Sequence, residues 1–257
     1  MQRQHIGSIE WARRTDGLLS TRSERLQMVV QGLKYIVDQL PARLRTARGR
    51  KPRLLADFDL TTLRLPDSAA AKDAEELIHE TLDSAWVYHS YRTYVWAYIL
   101  GRHDGLSFDE EVLYVASLVH DLSLADSNVA VRPRCFSLGA AERAESLADR
   151  AGWSAERQHL ISDAITRHIN LWIPPKEAPE AYLLHVGTKL DVVGLRYRDL
   201  EPRLVQDILA RYPRENFKNV FRPKMRAHGA AVPDSRAGFY ARHFHSDKRR
   251  ARAPFAE

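Results

Sequence analysis

Residues 111–122 read Glu111-Val-Leu-Tyr-Val-Ala-Ser-Leu-Val-His-Asp-Leu122. Just before them, Ser107-Phe-Asp-Glu110 has the form of a capping box, so a helix is expected to open there and carry the apolar run Val112–Val119. The run ends on His120-Asp121. A charged pair at that point is costly unless compensated, because a buried carboxylate must be paired, hydrogen-bonded or metal-bound. The competing reading is a helix-terminal His and Asp that face solvent.

Working outward, helical periods recur through most of the chain and strand-like alternation is scarce. Upstream, Thr21-Arg-Ser-Glu24 reads as a capping box opening an amphipathic helix that ends before Gly49. Residues 50–67, with Pro52 and Pro66, read as a loop, and Ser68 begins an Ala/Glu-rich helix to about 82. A helix over about 84–102 places Trp86, His89, Thr93 and Trp96 on one face. Downstream, helices are expected at 137–150, 154–170, 179–195 and 199–211, with Pro174 and Pro175 breaking the chain between two of them. From about 213 Pro, Gly and Arg dominate, so an irregular tail with short helices is expected. The predicted fold class is all-α: a helical bundle over 68–212, an N-terminal extension over 1–67 that packs on it, and a tail over 213–257.

The chain supplies its own control for the dipeptide, because a second pair, His103-Asp104, lies in a polar turn between Arg102 and Gly105. There a surface His and Asp are unremarkable. The pair at 120–121 instead has further company. His89 stands 31 positions earlier on an aromatic helix face, and Asp191 stands 70 positions later between Gly187 and Gly194. Those glycines lie on the face of Asp191, where they either leave room beside the carboxylate or allow close helix packing. Two imidazoles and two carboxylates suit a borderline or hard divalent cation with open coordination positions. Neighbouring helix residues diverge by about 100°, so His120 and Asp121 can share an ion only at a helix end, which Leu122-Ser123 and a loop over 125–131 would provide.

The ordered pattern His89, His120-Asp121, Asp191 resembles the H…HD…D signature of the HD superfamily of metal-dependent phosphohydrolases. The surrounding residues resemble its cyanamide-hydratase-like branch. His89-Ser-Tyr-Arg-Thr-Tyr94 is similar to that branch's HSxR helix, and residues 111–122 to its E-x-LY…LHDLG helix. Phe136 to Ala151 with Gly139 and Ala140, Ala164-Ile-Thr-Arg-His168 and Ala253-Pro-Phe255 match as well. The resemblance spans about 60–200. One departure is that Ser123 and Leu124 stand where a Gly or a phosphate-contacting Lys often follows the HD pair.

The resemblance implies an HD-domain bundle and one divalent ion (Fe, Mn, Zn, Co or Mg), held by His89, His120, Asp121 and Asp191, that activates water. It implies catalytic parts for Asp121, for Arg92 as the substitute cation on the His89 face, and for His168 as acid/base or substrate-binding residue. The alternative for His168 is a helix C-terminal His set against the dipole. Arg92, Asp163 or Ser90 are expected to orient the ligand imidazoles, and His185 is a candidate further ligand. His159, His228, His243 and His245 read as surface residues.

Composition sets the outer limits. The 257 residues are 44% hydrophobic and 28% charged, which is globular. Cys135 is the sole cysteine, so no internal disulfide forms and a reducing cytoplasm is expected. Residues 1–14 lack a signal-peptide core, and no apolar run reaches the roughly 18 residues of a membrane span. The net charge of +6 suits an anionic ligand or a solvated Arg-rich surface, and the basic runs at 42–53 and 242–252 lack the aromatic interleaving of a nucleic-acid module. The expectation is therefore a cytoplasmic enzyme for a small polar or anionic substrate, with homo-oligomerisation open. Hydrolysis of a phosphate ester or nucleotide leads, hydration of a nitrile-type molecule is the alternative, and a non-catalytic binding module is the third reading.

Overall fold

In the computed structural model, residues 5–47, 58–125, 134–244, 246–251 and 253–255 are described. Every regular element among them is helical, apart from an isolated bridge between Leu18 and Ser235. The first helices, α1 (Ile9–Thr15), α2 (Arg22–Ala47) and α3 (Ala69–Thr81), begin at side-chain caps. Ser8 and Ser68 each accept the backbone N–H of the third residue of their helix. At α2 the capping is reciprocal: Thr21 Oγ1 accepts from the Glu24 N–H, and Glu24 Oε2 from the Thr21 N–H at 2.9 Å.

Next come α4 (Ser84–His103), α5 (Glu110–Val119) and the single turn α6 (Leu122–Ala125). The expected capping box at Ser107 gives way to a cap at Asp109, whose Oδ1 accepts from Val112 N–H at 3.0 Å. Tertiary contacts explain the shift: Asp109 also receives the Arg157 guanidinium, and its own N–H reaches Glu180. The chain continues as α7 (Phe136–Arg150), α8 (Ala155–Arg167) and α9 (Pro179–Val193), then α10 (Pro202–Arg211). The segment read as an irregular tail with short helices holds the short α12 (Arg236–His243) and α13 (Ser246–Ala251), but also the longer α11 (Phe217–Ala231). Its apolar residues Phe217, Phe221 and Met225 recur every fourth position, and burying that stripe outweighs Pro223 inside the helix. Of the expected loop over 125–131, Ala125 closes α6, and the remainder, like part of the basic run at 42–53, lies outside the described residues.

At the centre stands α5, packed against α3, α4, α7, α8 and α9, with Val112 to Val119 all buried. The α4–α9 pair is the most intimate. A methyl placed on Gly187 of α9 would lie 2.4 Å from the Thr93 carbonyl oxygen of α4, so this glycine serves close packing. Gly194 ends α9 at φ 72°, the left-handed position that glycine adopts without strain. The core is continuous from Ile6 to Phe255, so side chains from both end segments share it.

Candidate metal centre

Three side chains meet where α4, α5 and α9 converge. His120 is the C-cap of α5, and Asp121 occupies the turn before α6, which supplies the helix end that a shared ion requires. His89 comes from the second turn of α4. One ligand atom from each of His89, His120 and Asp121 lies within 4.8 Å of the others. His120 Nε2 is 3.3 Å and His89 Nε2 3.6 Å from Asp121 Oδ2. All three residues are buried.

The proton bookkeeping follows from the other face of each ring. His120 Nδ1 donates to the Ser117 carbonyl at 2.8 Å, and His89 Nδ1 to Asp191 Oδ2 at 2.7 Å. Both rings therefore turn a bare Nε2 lone pair inward in their neutral form. His89 Nε2 and Asp121 Oδ2 are buried with no hydrogen-bond partner. Buried polar atoms are seldom left so, and two ring nitrogens and a carboxylate oxygen around one point are the donors of a divalent cation. The residues fit such an ion.

Asp191 occupies a different place from the three. It lies behind His89 and is saturated by donors: Arg92 Nε at 2.8 Å and Nη2 at 3.0 Å, Trp96 Nε1 at 3.2 Å and Arg214 Nη1 at 3.2 Å. Burial alone would raise its pKa, yet Arg92 first and then the His89 hydrogen bond and Arg214 hold it well below the usual carboxylate range. Arg92, wholly buried, spends its remaining Nη1 on the carbonyls of Tyr212 and Pro213. Asp121 is likewise held low, with burial opposed by His120, His89 and His168. His120 is shifted up, because its contact with Asp121 outweighs the burial that disfavours its charged form.

His168 stands at the C-cap of α8, its Nε2 3.9 Å from Asp121 Oδ1 and its ring edge-on to His120. Its Nδ1 donates to the Ile165 carbonyl. Burial, then the neighbouring His120, pulls its pKa down to about 3. His185 lies one shell farther out, with Nδ1 on the His168 carbonyl and a pKa lowered to about 3 by burial and then Lys189. Asp163 is used elsewhere, accepting from the Ile9 N–H and pairing with Arg167.

Sequence reasoning missed the wall that α11 supplies. Phe217 stacks on His89 with centroids 4.2 Å apart, and Phe221 and Trp86 complete an aromatic cluster beside it. The four-residue spacing of Phe217 and Phe221 was the available signal. His228, read as a surface residue, has a buried Nε2 and packs edge-on to Phe136 at 5.2 Å. Cys135 is buried within 3.2 Å of Ser137 Oγ; burial opposes its thiolate, but His228 and Arg236 lower its pKa to about 6.

No protein-family model matches the chain. Two curated relatives do: the chain is similar to the cyanamide hydratases DDI2 and DDI3 of Saccharomyces cerevisiae, each 26% identical over 159 residues, or 61% of this chain and 71% of the relative.

Proposed function

We propose that this chain is a metal-dependent hydratase that adds water to a small, neutral, nitrile-type molecule. The observation that carries this reading is the engagement of Arg92. The expected substitute for a phosphate-contacting Lys is wholly buried and bound to Asp191 and two carbonyls, and Arg214 also donates to Asp191. An aromatic wall of Trp86, Phe217 and Phe221 lies beside His89. Such surroundings favour a small uncharged group over a phosphate dianion, whose desolvation would need fixed cationic partners. Similarity to two cyanamide hydratases supports the enzyme class and this substrate type over the phosphohydrolase reading.

His89, His120 and Asp121 would hold the ion, which supplies a water of lowered pKa when bound. Asp191 fixes the His89 tautomer and so aims its Nε2, while Arg92, Trp96 and Arg214 hold Asp191 in place. His168, whose Nε2 lies 3.9 Å from Asp121 Oδ1, is the residue placed to relay a proton from the attacking water to the nitrile nitrogen. One C–O bond forms, one C–N π bond is lost, and nothing departs. The test is a screen of purified protein on cyanamide, phosphomonoesters and nucleotides, with urea and phosphate measured. Urea release without phosphate is expected. Phosphate without urea would overturn the proposal, and neither product despite a bound metal would favour a binding module.

A further inference from the structure

We propose that the outer face of α2 is a coiled-coil seam on which a second copy of this chain docks in parallel. The inner face of this helix is already committed. A methyl on Gly32 would lie 2.8 Å from the Phe244 ring, Met28 is buried, Lys34 covers the Trp172 ring at 4.4 Å, and Asp38 accepts from Trp172 Nε1. The opposite face has no such cover. Leu26 is 65% exposed, Val30 43%, Leu33 58%, Val37 59% and Leu40 43%, with Val29 and Ile36 at 42% beside them. Among the described residues, the large apolar side chains left exposed all lie on this one helix.

Their spacing identifies the occupant. Positions 26, 30, 33, 37 and 40 step by four and three residues alternately, the repeat that keeps a seam toward a partner helix. Leu26, Leu33 and Leu40 then take the d positions, and Val30 and Val37 the a positions. Val at a with Leu at d favours two parallel strands. An identical helix offers the same knobs and holes, as a two-fold interface requires. Val29 and Ile36 precede each a position and broaden the stripe. The seam runs about 20 Å along the helix. Joining two copies would hide on the order of 1,000 Å² in total, near the lower bound for a stable interface. A membrane surface is the weaker fit, because interfacial helices back their apolar face with a solvated Lys/Arg face, whereas the back of α2 is packed into the protein.

Light scattering and sedimentation of the full chain over a dilution series test this. The expected species has twice the 29.5 kDa chain mass. Leu33→Glu puts a charge in the seam and is expected to weaken the dimer at least about 100-fold while leaving the circular dichroism of the folded chain unchanged. Leu26→Cys is expected to cross-link to its own counterpart on mild oxidation, which an antiparallel pair centred on the seam would not allow. A monomeric wild type, a dimer indifferent to Leu33→Glu, or a Leu26→Cys dimer that does not cross-link would each overturn the proposal. So would a monomer that binds phosphatidylserine vesicles and loses that binding on Leu33→Glu.

Discussion

The same dipeptide occurs at two places in this molecule and does different work in each. His103-Asp104 closes α4 in an exposed turn, where Asp104 receives the Arg196 guanidinium at 2.6 and 3.0 Å. His120-Asp121 closes α5 in the interior, where His89 and His168 face the same carboxylate. Asp104 has a full partner and leaves nothing unsatisfied. Asp121 Oδ2 and the His89 nitrogen opposite it have no hydrogen-bond partner. The difference shows that a candidate ligand set is recognised by what its atoms lack, and the dipeptide itself says little.

Asp121→Ala would strike this contrast hardest. Metal content by mass spectrometry of the purified protein and activity are both expected to fall to background. Retention of either would mean that the ion sits elsewhere. Asp191→Asn asks whether the atoms behind the ring matter as much as those in front. It is expected to lower metal affinity or activity by about 10–100-fold, the usual cost of losing an imidazole-orienting carboxylate. Stability is also expected to fall by about 3–5 kcal/mol, since Arg92 and Arg214 lose their buried counter-charge.

Acid should separate the interior from the turn more gently. His168 and His185 are held neutral down to about pH 3, against an ordinary value of 6.5. Between those limits the unfolded chain binds protons that the native one refuses, so stability rises with pH there. The contribution of these two rings should be full above about pH 6.5 and decline as pH falls from 6.5 toward 3, whereas His120, shifted up, contributes in the opposite sense above 6.5. Melting temperatures of chelator-treated protein across pH 8 to 5 check the slope, and His185→Gln should flatten it. The smallest effect is expected for Asp104→Ala, about 1 kcal/mol or less, with metal content and activity intact. Equal losses from Asp104→Ala and Asp121→Ala would erase the contrast.

Much of this was legible before folding, because caps and periodicity are local. Thr21 with Glu24, and Ser68, act as their positions suggested. The meeting of His89 with the 120–121 pair was legible from their order and their apolar context. What stayed hidden depends on packing between distant segments. That Asp191 would be ringed by Trp96 and Arg214, with Arg92 spent on it, needs α4, α9 and the turn before α11 together. The length of α11 was obscured because Pro and Gly signal breaks locally, whereas the Phe217–Phe221–Met225 stripe acquires a partner only when the bundle exists.

One missing methyl group, at Gly187, reaches further than close packing. It lets the backbone of α9 rest on the Thr93 carbonyl. One turn along α9 stands Asp191, and one turn back along α4 stands His89. The separation of two helix axes thus decides whether a carboxylate can hold a proton on one nitrogen of an imidazole and leave the other bare. Protonation at this centre is set by a backbone dimension.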